Sequence, residues 1–197
     1  MNIGTLLAAS LLALVTAQPA AAHTAVYRAD LNGQSEAIPV DTPGWGSARV
    51  TIDFDLLTLR VEASFQDLLG TTTASHIHCC TAVADTGTAG VATQVPSFSG
   101  FPPGVKAGSF DQTFDMTLAS SYNPAFIAAN GGTIGGAFTA LTTGLANDKA
   151  YLNIHTNLYP GGEIRGFLHA VPEPGTYALL LLGLGGMATA ARRRRPG

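Results

Sequence analysis

The chain has 197 residues, ten of them basic and thirteen acidic, for a formal charge of −3. Its two ends differ in composition from its middle, and residues 23–170 alone hold six basic and twelve acidic side chains, a charge near −6. An acidic stretch without a basic patch excludes nucleic acid as a partner, and its length suits one domain with a buried core.

Residues 3–16 form an uncharged apolar run, followed by Gln18-Pro19-Ala20-Ala21-Ala22. A short apolar run ending in small residues predicts a secretory signal peptide over 1–22, cut before His23. The run falls short of the roughly 20 residues that span a bilayer, which disfavours a permanent N-terminal anchor.

Alternation of apolar and polar residues then recurs through the middle. Ala25–Leu31 reads as a first strand, closed by Asn32-Gly33. Ser47–Asp55 puts Ala48, Val50, Ile52 and Phe54 on one face, and Leu57–Phe65 repeats the pattern with Leu57, Leu59, Val61, Ala63 and Phe65 inward. Ala74–Cys79, Gly108–Leu118, Gly135–Ala140, Lys149–His155 and Glu163–His169 are further strand candidates, the last two joined by the turn Tyr159-Pro160-Gly161-Gly162. One short helix is predicted over Ala125–Asn130, with Asn123 as cap, Pro124 at the first helical position and Gly131 as terminator. The Gly-, Pro- and Thr-rich segment 81–107 has little periodicity, and a loop that long inside a domain is commonly functional. These elements predict an all-β fold, an antiparallel β-sandwich or barrel-like sandwich of seven to nine strands.

After residue 170 the chain reads Val171-Pro172-Glu173-Pro174-Gly175-Thr176, an apolar stretch from Tyr177 to Ala191, and four arginines at 192–195. The stretch is long enough for a marginal transmembrane helix, and the arginines hold its end on the cytoplasmic side. The order of Pro172-Glu173-Pro174, apolar segment and arginine cluster resembles the PEP-CTERM sorting signal of exopolysaccharide-producing bacteria. That resemblance implies processing near the triplet by a membrane transpeptidase, an exosortase. It implies passage through an inner-membrane intermediate and delivery to the cell surface or extracellular matrix, with exopolysaccharide or a surface protein as candidate partners.

A second family resemblance covers nearly all of residues 23–170. The resemblance is carried by Leu31-Asn32-Gly33 with Glu36 and Pro39, by Gly44-Trp45-Gly46-Ser47-Ala48, and by Ala74-Ser75-His76-Ile77-His78. Tyr151-Leu152-Asn153-Ile154-His155-Thr156 and Pro160-Gly161-Gly162-Glu163-Ile164-Arg165-Gly166 complete it. Together these segments resemble a CHRD (chordin-like) domain, which implies an immunoglobulin-like or Cu/Zn superoxide dismutase-like sandwich, protein-interaction roles in chordin-like proteins, and little about the ligand of bacterial members.

Three histidines stand out. His76 and His78 lie two apart on a predicted strand and share a face, and His155 shares a face with Asn153 on another. If those strands are neighbours, three neutral imidazoles converge, a donor set suited to Cu or Zn. The competing reading has the same rings hydrogen-bonding backbone and bracing the long loop. Cys79 and Cys80 are the only cysteines. Export favours their oxidation, so a vicinal disulfide ranks first. A Cys80 thiolate joining the histidines ranks second, since Cys80 continues their parity, and linkage to another chain is a third option. His23 would offer an amine and a ring to copper if it began the mature chain, against the plainer reading of a frayed end. His169 reads as a solvated strand end, Asp53 and Asp55 as solvent-side charges, and Glu163 with Arg165 as a surface ion pair of little energy. No Gly-x-Ser-x-Gly, phosphate loop or zinc-protease helix is present. A non-catalytic surface module is therefore expected, with copper or zinc binding by the histidines, including a redox role, and exopolysaccharide binding as the alternatives.

Overall fold

A computed structural model describes residues 23–172. The signal peptide expected over 1–22 and the sorting triplet's Glu173 and Pro174, with the apolar tail behind them, lie outside the described residues. The fold is all-β, a single antiparallel sheet that curls into a half-barrel, with few helices. Its strands are β1 (Thr24–Asn32), β2 (Trp45–Asp53), β3 (Thr58–Gln66), β4 (Thr72–Cys79), β5 (Gly108–Asp115), β6 (Ala150–Thr156), β7 (Ile164–Phe167) and β8 (His169–Ala170). Across the sheet the order is β4-β6-β7-β1-β2-β3-β5, with β8 added to β1.

The two-residue alternation does most of the positioning. Ala48, Val50 and Ile52 of β2 and Leu59, Val61, Ala63 and Phe65 of β3 enter the core, while their neighbours face outward. The hairpin between them turns later than the alternation suggests. Asp53 Oδ1 accepts the amides of Asp55 and Leu56, and Leu57 takes a left-handed φ of 51°, so Leu57 lies exposed in the turn instead of leading β3 inward. At the end of β5, Asp115 bonds the amide and hydroxyl of Thr117 and stops the strand short of Leu118.

Helix α1 (Pro124–Ala129) forms where expected, the Asn123 side chain accepting the Ala125 amide at 3.0 Å. The strand expected over Gly135–Ala140 is instead part of helix α2 (Ile134–Ala146). Thr133 caps it by accepting the Gly136 amide, and Ala137, Leu141 and Leu145 form a fully buried stripe at four-residue spacing. The paired glycines are poor helix formers, which left a short alternating run as the visible signal.

Cys79 and Cys80 are joined by a disulfide across a cis peptide bond. The pair packs on Gly144 of α2, where a Cβ would run into both sulfurs. Gly144→Ala is accordingly expected to destabilise the protein by about 2 kcal/mol through overpacking, measured by denaturant unfolding. An unchanged midpoint would mean that the helix does not seat on the disulfide.

Candidate metal centre

Strands β4 and β6 pair in the register Ala74↔His155, His76↔Asn153 and His78↔Tyr151. Ile77 from β4 and Leu152 and Ile154 from β6 fill the core, which turns His76, His78 and His155 to the opposite face. Their ring centroids are 5.1 Å (His76–His155), 5.7 Å (His78–His155) and 5.8 Å (His76–His78) apart. Each residue offers a ring nitrogen within 4.8 Å of those of the other two.

Two carbonyls of the long loop and one of the β6–β7 turn fix how the rings are protonated. His76 Nε2 lies 2.6 Å from the Pro96 carbonyl, His78 Nδ1 2.9 Å from that of Ala89, and His155 Nδ1 2.9 Å from that of Pro160. A carbonyl only accepts, so each of those nitrogens carries the hydrogen. The lone pairs are left on His76 Nδ1, His78 Nε2 and His155 Nε2, three buried atoms with no hydrogen-bond partner among the described residues. Burial, against the hydrogen bonds to those carbonyls, lowers the pKa of all three, that of His78 to about 4 with added repulsion from His155, His76 and Arg165. The rings are therefore neutral at physiological pH, the state in which imidazole binds a metal.

Loop 81–107 runs along the outer edge of β4. His78 bridges Val91, the Ala92 amide bonds the Ile77 carbonyl, and Thr93 Oγ1 accepts the Ile77 amide. A polar layer backs the rings. His78 stacks on Tyr151 at 4.8 Å between centroids, and the Arg165 guanidinium lies 4.7 Å from the Tyr151 ring. Arg165 donates to the carbonyls of Ser35 and Gly87 and stands 3.9 Å from Glu36, both side chains buried. Asn153 Nδ2 donates to Glu36 Oε2 at 3.5 Å.

Several expected roles change. Glu163 and Arg165 are not a surface ion pair: both are buried, Arg165 facing Glu36 and Glu163 held by four other donors. Cys80 is no thiolate ligand, because its sulfur is bonded to Cys79 and lies against the Ala140 carbonyl of α2. His23 sits apart from the cluster, its ring 4.8 Å from that of Phe54, and the chain there is tied down by the Phe54 amide on the His23 carbonyl. Asp53 serves the hairpin turn, and Asp55 accepts the His23 amide. His169 is exposed as expected, with its two nitrogens 3.2 Å from Asp148 and 3.6 Å from Asp85. Both ring nitrogens there face carboxylates, unlike the free ones of the three-histidine cluster. The sequence reading missed Glu36 and Asn153, whose signal was membership in the matching motifs; its competing reading, rings bonded to backbone and bracing the long loop, is met by His76 at Pro96 and His78 at Ala89, while His155 bonds Pro160 in the β6–β7 turn.

A family model described as the CHRD domain matches residues 27–168, and one described as the PEP-CTERM protein-sorting motif matches residues 170–195. No curated protein and no solved structure gave a match. The sorting motif implies processing by an exosortase and export to the cell surface. With the matched region spanning nearly the whole sheet, the chain belongs to the CHRD domain family and carries a PEP-CTERM sorting motif behind that domain.

Proposed function

We propose that this chain is a non-catalytic metal-holding module displayed at the cell surface or in the matrix, with His76, His78 and His155 as ligands to Cu or Zn. One observation carries the reading: three clustered histidines, each with a ring nitrogen within 4.8 Å of the others, each bury one nitrogen that has no hydrogen-bond partner among the described residues, while the opposite nitrogen donates to a backbone carbonyl. A buried polar atom left unpaired costs free energy, and a metal ion satisfies all three at once. Second-nitrogen bonds to carbonyls are also how metal-binding histidines are oriented. Tetrahedral ligand bonds of about 2.0–2.1 Å set nitrogens roughly 3.4 Å apart, inside the 4.8 Å limit that the three rings already meet. A fourth position is left for water or an exogenous donor.

Elemental analysis of the chain recovered after export is expected to find about one Cu or Zn ion per molecule. The His76→Ala/His78→Ala double variant is expected to hold at least roughly tenfold less, with an unchanged far-ultraviolet circular dichroism spectrum as the check on folding. Equal metal content in the two folded proteins would overturn the assignment.

A further inference from the structure

The outer face of β1, β2, β3 and β5 is uncovered among the described residues, since α2 packs on β4, β6 and β8, and α1 on α2. The strand register arranges this face in transverse rows. Asp30, Ser47, Ser64 and Ser109 make one row, every member exposed. Arg28, Arg49, Glu62 and Asp111 make the next, two residues along each strand. On the other side of the serine row stand Trp45 and its cross-strand neighbour Gln66. Short side chains between longer ones leave a trough of about 420 Å³ over the first two rows. Three strand spacings make it roughly 14 Å long, about three pyranose rings, and each wall stands about 7 Å from the serine row.

The chemistry of the walls selects the occupant. Trp45 is 52% exposed on a strand whose apolar residues otherwise point inward, so its indole presents a flat apolar surface to solvent. The charged wall is largely paired: Arg49 meets Glu62 at 3.3 Å, and Arg60, one row beyond, grips Asp111 through two bonds at 2.8 and 2.6 Å. Arg28 leaves that wall one positive charge, which Asp30 in the serine row offsets, so the face sets donors beside acceptors and gives little attraction to a polyanion. The serine floor adds paired hydroxyls, with Ser47 Oγ and Ser64 Oγ 3.1 Å apart. A peptide would seek unpaired backbone groups, and here the backbones of β2 and β3 are paired on both sides. We infer that this trough binds an extended uncharged glycan, one ring stacked on Trp45 and the hydroxyls of the next rings exchanged between the serines and the arginine–carboxylate pairs. The site is separate from the histidine cluster and does not depend on the metal reading.

Trp45 is the chain's only tryptophan, so intrinsic fluorescence reports this face alone. Full-length chain in a detergent without sugar headgroups would be titrated with cellohexaose, laminarihexaose, maltohexaose and chitohexaose. At least one is expected to change Trp45 emission and reduce acrylamide quenching, with a dissociation constant of about 0.1–1 mM, as expected for a shallow open site. Ser64→Arg fills the trough while keeping the indole at an exposed position where folding is undisturbed, and it is expected to weaken binding at least tenfold. Binding is expected to survive chelation and the His76→Ala/His78→Ala change. The inference is overturned if all four sugars leave Trp45 unaffected, if Ser64→Arg binds as well as the parent, or if chelation abolishes the response.

Discussion

Glu163→Ala is expected to lower the unfolding midpoint by about 10 °C, the largest effect of any single substitution considered for this fold. The Glu163 carboxylate is fully buried and accepts from Thr42 Oγ1 (2.7 Å), the Leu69 and Gly70 amides (2.5 and 3.0 Å) and Thr156 Oγ1 (2.8 Å). It therefore ties the segment before β2, the turn before β4 and the end of β6 to the start of β7. Removing it strands two backbone amides and two hydroxyls, a loss of about 4 kcal/mol when charge-assisted bonds are broken in a buried site. At 2–4 °C per kcal/mol for a domain of this size, that gives the stated shift. Burial pushes the Glu163 pKa upward, but the four hydrogen bonds outweigh it and leave the group below its ordinary value. A depressed carboxylate stabilises above its unfolded pKa, and that stability is lost as pH falls through the folded one. The gap between parent and Glu163→Ala should therefore narrow as pH falls below the ordinary carboxylate value of 4.5. A midpoint within 2 °C of the parent at pH 7 would refute the account.

The opposite sign is expected at Glu36. Burial, only partly offset by Arg165 and the bond from Asn153, raises its pKa from 4.5 to about 7. Here the folded state binds the proton more tightly than the unfolded chain, so stability falls as pH rises from 4.5 to about 7 and then levels off. Glu36→Gln keeps the shape and removes the ionisation. It is expected to stabilise the protein at pH 8 by of order 2–3 kcal/mol and to have little effect at pH 4.5. Urea midpoints at the two pH values test this, and a variant less stable than the parent at pH 8 would show that the charged pair with Arg165 outweighs the burial of Glu36.

The contrast between these two acids marks how far the sequence could be read. Strict alternation in Ser47–Asp53 and Leu59–Phe65 announced β2 and β3, because one buried face forces period two and any slip would invert it. Asn123-Pro124 announced α1 through cap chemistry that is local. Helix α2 was illegible for the opposite reason: Gly135 and Gly136 deny it propensity, and only packing of Ala137, Leu141 and Leu145 makes it helical. At the candidate site, His-x-His on a strand and a histidine beside Leu152 and Ile154 identified the three imidazoles. What turns them into a donor set comes from the carbonyls of Ala89, Pro96 and Pro160, which no residue type encodes. Glu163 and Arg165 misled for a related reason. Two residues apart, they suggest a pair, yet the burial of Glu36 gives Arg165 another partner and four donors claim Glu163.

The strand order also carries a consequence in time. The β1–β2–β3 meander joins near neighbours in sequence, whereas pairing β4 with β6 brings His78 to His155 across the long loop, β5 and both helices. Closing so wide a span is entropically costly, so the third imidazole joins the other two only through a non-local pairing that the meander does not need. Until then His76 and His78 offer a passing ion two ring nitrogens and no cage. On the reading proposed above, a chain that crosses the membrane unfolded does so unloaded, and the ion it takes is the one abundant where folding finishes.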